Sequence, residues 1–186
     1  MAKLLSSGIV SLDGYTADRD GMFDWSAPDE EVHRFVNDLE RRTGTALYGR
    51  RVYEVMSVWE NDDILEGEPA VMRDYATIWR ATDKIVYSST LQSVSTGRTR
   101  IEREFDPAAI ARLKQTEERD ISIGGPHLAA QAIRAGLVDE FHLFVTPVLV
   151  GGGTPFFPPD IRINLTLIGE NRFVGGVVHL HYRALP

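Results

Sequence analysis

The segment Asp120-Ile121-Ser122-Ile123-Gly124-Gly125-Pro126 has the pattern of a short buried strand that turns through two glycines into a helix. β-Branched residues favour the strand, and proline is common at the first position of a helix. The helix would bury an apolar stripe that includes Leu128 and Ile133, and Gly136 is its expected C-cap. The segment therefore predicts one strand–turn–helix unit of an α/β sheet.

The same order of elements repeats along the first two-thirds of the chain. The sequence predicts strands near 3–10, 45–48, 84–88 and 120–123, and helices near 28–43, 50–56, 71–79 and 107–116. Strands that alternate with helices give a mainly parallel central sheet with helices on both faces. The last third predicts only strands, at 140–147, 164–169 and 173–183, with a turn near Glu170-Asn171. The prediction is an α/β fold with an antiparallel C-terminal edge.

The length and composition indicate one folded domain. The chain has 186 residues, and we expect a single domain over 1–186. Hydrophobic residues make up 43% and charged residues 25%, a mixture that argues against disordered and fibrous classes. No run approaches the ~18 apolar residues of a membrane span, and the start, MAKLLSSGIVSLDG, lacks the pattern of a signal peptide. We therefore expect a cytoplasmic protein with no membrane partner.

Charge and cysteine content exclude several function classes. The net charge is −7, whereas non-specific nucleic-acid binding needs Lys and Arg to neutralise phosphates, so we expect no nucleic-acid partner. The chain has no cysteine, which excludes disulfides, thiolate nucleophiles, cysteine-ligated metal centres and the zinc-dependent nucleobase deaminases. Catalysis would then depend on carboxylates, hydroxyls, histidines or a bound cofactor.

Three predicted strands end in segments that suit phosphate groups: Gly49-Arg50-Arg51, Ser88-Ser89-Thr90 and Gly124-Gly125-Pro126. Parallel strands end at one edge of a sheet, where ligands of open α/β folds bind, so these segments should converge. Glycines let the backbone approach a pyrophosphate, a helix N-terminus attracts anions, and guanidinium and hydroxyl groups bind further phosphates. A cofactor with a pyrophosphate and a separate 2′-phosphate, namely NADPH, fits this set.

Each of these segments also has a simpler structural interpretation when it is taken alone. Two glycines between a strand and a helix often form only a tight turn. Arginines at a helix start are commonly solvated, and a run of serine and threonine is commonly a polar loop. The cofactor site is favoured because the three segments occur together at successive strand ends.

The chain resembles the reductase domain of the riboflavin-biosynthesis deaminase-reductases and, through it, dihydrofolate reductase. The resemblance covers nearly the whole chain, as a stand-alone protein, and it is specific for the superfamily rather than for a substrate. It rests on an ordered set of segments: Ser11–Tyr15, Asp24-Trp25, Leu47–Glu54, Lys84–Leu91, Ile123–Gly125, Gly136–Glu140 and Pro147–Gly153.

This resemblance implies a dihydrofolate reductase-like fold, NADPH as the hydride donor and, since the family is often dimeric, a homodimer. The loop from Asp13 to Trp25 matches the flexible loop that closes over the nicotinamide. The matched cofactor-binding positions are the phosphate motif, the segment beside the 2′-phosphate, and the diglycine with the start of its helix: Gly49, Arg50, Arg51, Ser88, Ser89, Gly124, Gly125, Pro126, His127 and Leu128.

The sequence also departs from these families. The riboflavin-pathway reductases typically carry a glutamate before the diglycine, where it contacts their pyrimidine substrate, whereas this chain has Ile123. The resemblance therefore does not carry over the riboflavin precursor as substrate. Dihydrofolate reductases place a carboxylate early in the first helix after a Trp and a Pro. Trp25, Pro28 and Glu30 stand in a similar order, although Glu30 also suits the helix dipole as a first-turn acid.

Reduction of a C=N or C=O bond needs a proton from an acid or an ordered water. Asp13, at the end of the first strand, is the first candidate for this catalytic role, and Glu30 is the second. Asp13 can equally be a turn residue before Gly14. Trp25 would form a stacking wall for a flat ring, and Tyr15 in the same loop is predicted to contact the substrate.

The histidines offer a weaker pattern. His179 and His181 are two apart on a strand, so they share one face, which is a possible metal geometry. No third ligand lies near them in sequence, and His142 lies in a buried-looking strand. We therefore predict a solvated or packed strand face and no metal site.

Three functions remain open from the sequence. The leading prediction is an NADPH-dependent oxidoreductase that transfers hydride to a small flat heterocycle, pterin- or pyrimidine-like, or to a carbonyl compound. The alternatives are a non-catalytic module of the same fold that binds a nucleotide or a pterin, and a purely structural dimer. Turnover of NADPH separates the first from the second, and substitution of Gly124 separates both from the third.

Overall fold

A computed structural model describes residues 1–185, which form ten strands and five α-helices. The strands are β1 (Leu4–Ser11), β2 (Tyr15–Ala17), β3 (Thr43–Gly49), β4 (Asp83–Tyr87), β5 (Thr99–Glu102), β6 (Asp120–Gly124), β7 (Glu140–Thr146), β8 (Thr154–Pro155), β9 (Leu165–Arg172) and β10 (Val178–Ala184). The helices are α1 (Glu30–Glu40), α2 (Arg50–Met56), α3 (Ala70–Ala81), α4 (Pro107–Thr116) and α5 (Pro126–Arg134).

Eight of these strands form one sheet in the order β5-β4-β3-β6-β1-β7-β10-β9. The first six strands in this order, from β5 at the edge to β7, pair in parallel with their neighbours. The strand β10 runs antiparallel to both β7 and β9. The strands β2 and β8 form a separate antiparallel ladder. The dihydrofolate reductase-like α/β fold, with a mainly parallel sheet and an antiparallel C-terminal edge, is therefore confirmed.

Helices cover both faces of the sheet because neighbouring strand residues point in opposite directions. On β3, Leu47 belongs to the core cluster that includes Leu128 of α5, whereas Tyr48 packs in the cluster of Tyr53 and Trp79 from α2 and α3. The helix α1 covers the antiparallel side, where its Val32 and Phe35 pack in the cluster of Phe144 on β7. The predicted placement of helices on both faces is thus confirmed.

Local polar groups set the ends of the helices. The α1 helix begins after Asp29, whose Oδ1 accepts a hydrogen bond from the Val32 N–H at 2.9 Å, so Asp29 is its N-cap. Asp106 caps α4 in the same way, since its Oδ1 accepts from the Ala108 N–H at 2.9 Å. At the end of α5, Gly136 adopts φ +65° and closes the helix as predicted. No helix among residues 1–185 combines the length and the apolar character of a membrane span.

Two local predictions at the sheet edges were wrong. The turn expected near Glu170-Asn171 lies instead after Arg172. There the Phe173 N–H donates to the Val177 carbonyl oxygen, and Gly176 between them has φ +87°. Phe173 is buried under α1, so its apolar character serves the core rather than the start of a strand. The strand β5 was not predicted at all, because it is a short edge strand with alternating exposed residues.

Candidate functional site

The carboxyl ends of β3, β4 and β6 lie side by side at one edge of the sheet. Tyr48 is in register with Gly124, and Gly49 is in register with Tyr87, the residue before Ser88. The three phosphate-suited segments of the sequence are therefore brought together by strand pairing. Binding of a cofactor to them stays a prediction.

The diglycine turn lies against the start of α2 with no room for side chains. Gly125 has φ +100°, and a Cβ there would lie 3.2 Å from Val52 Cγ2 and 3.7 Å from the Gly49 backbone nitrogen. A Cβ on Gly124 would lie 3.2 Å from the ring of Tyr48. Only glycine combines this backbone angle with this clearance. The turn thus presents bare backbone at the sheet edge.

The helix α5 begins directly after this turn. Pro126 occupies its first position, no side chain caps it, and His127 is exposed while Leu128 is buried. The first backbone N–H groups of a helix have no partner within the helix, and the helix dipole places partial positive charge there. The start of α5 therefore offers donors to an anion beside the bare backbone of the diglycine.

Arg50 joins two of the converging segments. Its Nη1 donates to Thr90 Oγ1 at 2.9 Å, and its Nε donates to Glu54 Oε1 at 2.7 Å. The guanidinium is about half exposed, and its neighbour Arg51 is exposed as well. The pair provides positive charge at the same edge, with one arginine held in place.

The loop after β4 is shaped by Ser88. Its hydroxyl oxygen accepts from the backbone N–H groups of Thr90 at 3.3 Å and Leu91 at 3.0 Å. Ser88 is buried, while Ser89 and Thr90 are exposed. Of the three hydroxyls in the predicted segment, the Ser88 hydroxyl therefore forms the turn and the other two face solvent.

Arg103 is a residue of this site that the sequence analysis missed. Its Nη1 donates to the backbone carbonyl oxygens of Ser88 at 3.1 Å and Leu91 at 2.6 Å. It follows β5, which pairs in parallel with β4, so its position depends on a strand that was not predicted. Arg103 holds the loop after β4 in its turn, and nothing in the local sequence indicates this.

Asp13 follows the carboxyl end of β1 and binds a distant loop. Its Oδ2 accepts from the Gly151 N–H at 2.8 Å, and its Oδ1 accepts from the Val150 N–H at 3.2 Å. A hydrogen bond with Ser11, followed by these backbone bonds, lowers the pKa of Asp13 below its ordinary value of 3.8. These contacts suit Asp13 to position the loop, and proton donation by Asp13 stays a prediction.

The loop after β1 is tied to the three glycines at 151–153. Arg19 Nη2 donates to the Gly151 carbonyl at 2.8 Å. A Cβ on Gly153, where φ is +132°, would meet the backbone of Ala17 and Asp18. The ladder of β2 with β8 adds to these contacts. The glycines therefore permit close approach of the two loops.

Replacing Asp13 with alanine should loosen the backbone at Val150 and Gly151. We expect the hydrogen-exchange protection of these two amides to fall by about tenfold or more, because both lose their acceptor. In the unmodified protein the same protection should persist at neutral pH and be lost as pH falls through the lowered pKa of Asp13. Alanine at Asp20, an exposed residue of the same loop, is the control, and equal effects of both changes would contradict the anchoring role.

The other predicted residues are less closely connected. Glu30 is exposed at the start of α1 and pairs with Arg34 Nη2 at 2.8 Å, and no described contact joins it to Asp13 or to the diglycine. Tyr15 lies on β2 opposite Pro155. Trp25 is partly buried, and its indole N–H is buried without a hydrogen-bond partner among the described residues. This N–H is a free donor within the loop between β1 and α1.

Comparison with known proteins gives the family. The sequence pattern of the RibD C-terminal domain matches residues 2–178. The Bacillus subtilis protein YyaP, described as uncharacterized, is 31% identical over 180 residues, which cover 93% of this chain and 90% of YyaP.

Two solved structures share the fold over the whole length of the chain. One, from Shewanella sp. PV-4, is provisionally assigned as a riboflavin biosynthesis protein and has a TM-score of 0.74 at 23% identity, with 100% of both chains covered. The other, a pyrimidine reductase-like protein from Corynebacterium diphtheriae, has a TM-score of 0.67 at 15% identity, with 100% of this chain and 92% of that chain covered. Because the family pattern spans almost the entire chain, the protein belongs to the RibD C-terminal domain family.

Proposed function

We propose that this protein is a reductase that uses NADPH to reduce a small flat heterocycle, pyrimidine- or pterin-like, or a carbonyl compound. The observation that carries the proposal is the bare diglycine backbone at Gly124-Gly125, which stands at the start of α5 and beside Arg50. Membership of the RibD C-terminal domain family supports a reductase, and the pyrimidine reductase-like structure supports the substrate class.

The residues at the sheet edge fit the phosphates of NADPH. A Cβ would fill the space at Gly125, and the start of α5 offers donors there, so this turn would hold the pyrophosphate. Arg50, Arg51 and the exposed hydroxyls of Ser89 and Thr90 would hold the 2′-phosphate. When bound, NADPH would supply the hydride, and the protein would supply binding and orientation.

The substrate side differs from that of a riboflavin-pathway reductase. Ile123, at the position before the diglycine, is 2% exposed and packs in the core, so it offers neither charge nor a hydrogen bond. The indole N–H of Trp25 is buried without a partner among the described residues, and a heterocyclic nitrogen or a carbonyl oxygen would accept from it once the loop that carries Trp25 moves. We propose a flat substrate with such an acceptor, and the apolar Ile123 argues against the riboflavin precursor.

Among the described residues, no buried acid at the cofactor edge could donate the proton that reduction needs. Asp13 and Glu30 are both exposed, and the pKa of Asp13 is lowered. We therefore propose that water supplies the proton, with Asp13 holding the loop around it. The same observation favours the alternative function, a non-catalytic module of this fold that binds a nucleotide or pterin. A homodimer and a cytoplasmic location remain proposals from the sequence.

NADPH titration of the full chain, followed by tryptophan fluorescence, tests the cofactor proposal. We expect saturable binding at micromolar NADPH and weaker binding of NADH, which lacks the 2′-phosphate. Arg50→Ala should lower NADPH affinity by about tenfold and leave NADH affinity nearly unchanged, because it removes a charge-assisted contact to that phosphate. Arg112→Ala, which removes an exposed arginine from α4, is the matched control. Absence of saturable binding would overturn the proposal.

Turnover separates the enzyme from the binding module. NADPH oxidation, followed by its absorbance, should be stimulated by at least one compound in a panel of pterins, pyrimidines, flavins and carbonyl compounds. Tight NADPH binding without oxidation by any of them would favour the non-catalytic module.

A further inference from the structure

Four residues with metal-binding chemistry lie together near the opposite end of the sheet from the cofactor edge. Glu140 and His142 stand on β7, and His179 and His181 stand on β10. His181 is directly opposite His142 in the antiparallel pairing, and the four residues occupy alternate positions, so they share one face of the sheet. No third ligand lies near His179 and His181 in sequence, because β7 supplies it only through strand pairing.

Three of these residues have ligand atoms within reach of one ion. His181 Nε2 lies 2.9 Å from Glu140 Oε2, and the rings of His142 and His181 are stacked with centroids 3.9 Å apart. One ligand atom from each of the three residues lies within 4.8 Å of the others. Ligands at about 2.0–2.2 Å from a tetrahedral zinc ion are roughly 3.3 Å apart, so small side-chain movements would complete the site.

His181 Nε2 and Glu140 Oε2 bond to each other, so an ion would replace the proton between them, and the neighbouring contacts fix the orientation of the cluster. His142 Nδ1 is hydrogen-bonded to His179 Nε2 at 3.0 Å, which leaves His142 Nε2 available. Glu140 Oε1 accepts from Lys3 Nζ at 2.9 Å and faces Arg183 at 3.4 Å, which leaves Oε2 on the side of the histidines. Hydrogen bonds to the non-ligating atoms of metal ligands orient them in this way.

Burial distinguishes this cluster from a solvated strand face. Glu140, His142 and His179 are each 4% exposed, whereas the side chain of His181 is 23% exposed and gives access from solvent. Lys3 and Arg183 are about half exposed, so water screens their repulsion of an ion. The combination of two imidazoles and one carboxylate suits borderline divalent ions such as Zn²⁺ and Co²⁺, and magnesium and calcium prefer oxygen ligands alone.

We propose that Glu140, His142 and His181 bind one divalent transition-metal ion of the Zn²⁺ class, with His179 as a positioning residue for His142. The ion would join β7 to β10 on the face beneath α1. The site lies near the start of β7, and the cofactor edge lies at the carboxyl ends of the parallel strands, so the proposal is independent of the reductase activity.

Titration of the metal-free full chain with Co²⁺ and Zn²⁺ tests the site, with Co²⁺ absorbance and calorimetry as readouts. We expect one equivalent to bind at micromolar concentration or below and to raise the Tm. His181→Gln, at the partly exposed ligand, and His142→Gln should each weaken binding by about 100-fold or more. His33→Gln, which removes a histidine outside the cluster, should bind as the unmodified protein does.

Folding of each variant is checked by circular dichroism without metal. If His142→Gln does not fold, His181→Gln alone tests whether a ligand is lost. Exchanging His179 for glutamine should weaken Co²⁺ binding less than loss of a ligand and alter the Co²⁺ spectrum, as expected of a positioning residue. Binding that is undetectable at 100-fold excess over micromolar protein, or that persists unchanged in His181→Gln, would overturn the proposal.

Discussion

Valine in place of Gly125 should lower the affinity for NADPH by about 100-fold or more. Gly125 has φ +100°, which a β-branched residue adopts only with strain, and its Cβ would lie 3.2 Å from Val52 Cγ2. The new side chain would also occupy the bare backbone where we place the pyrophosphate. A loss of about 2.7 kcal/mol from these effects corresponds to the expected 100-fold change, measured by fluorescence titration of the folded variant.

Gly136→Val is the matched control for this substitution. Gly136 also has a positive φ, +65°, but nothing lies within 4 Å of its Cβ position at the far end of α5. It should cost roughly 1 kcal/mol of stability at the helix end and leave NADPH affinity unchanged. Equal affinity of the Gly125→Val variant and the unmodified protein would contradict the placement of the pyrophosphate at the diglycine.

Alanine in place of Phe144 should reduce the free energy of unfolding by about 3–5 kcal/mol. Phe144 is 1% exposed, and its ring centroid lies 4.7 Å from that of His179, 5.9 Å from that of Phe35 and 6.4 Å from that of Phe173. Removal of the ring leaves a cavity between α1 and the sheet that rigid neighbours can fill only in part. Urea unfolding, followed by circular dichroism, measures the change.

Leu167→Ala on the edge strand β9 is the control for apolar truncation, since Leu167 is 45% exposed. It should change the free energy of unfolding by less than about 0.5 kcal/mol. A cost below about 1 kcal/mol for Phe144→Ala would show that this ring does not hold α1 on the sheet.

The mainly parallel sheet with its antiparallel C-terminal edge and the meeting of the cofactor segments could be predicted from the sequence. Glycine at Gly49 and at Gly124 marks the end of a strand and the start of a helix, and parallel pairing brings such ends together without further information. The C-cap Gly136 could be predicted in the same way, because glycine after an apolar helical stripe is a local signal.

Contacts between segments far apart in the chain could not be predicted. The bonds from Asp13 to the loop at Gly151 and from Arg103 to the loop at Ser88 join side chains to backbone groups, which carry no sequence signature. The cluster of Glu140 with His181 likewise depends on the antiparallel register of β7 and β10. The last strand was predicted to begin at Phe173 because a residue buried under a helix and a residue buried in a sheet are of the same apolar type.

The ties between the loop after β1 and the glycines at 151–153 have a kinetic consequence. Opening of the loop must break the bonds of Asp13 and Arg19 to Gly151 together with the ladder of β2 and β8. Opening therefore separates two segments that are remote in the chain. The opening rate of the loop would then depend on the loss of several contacts at once, which is slower and more temperature-dependent than the swing of a free loop.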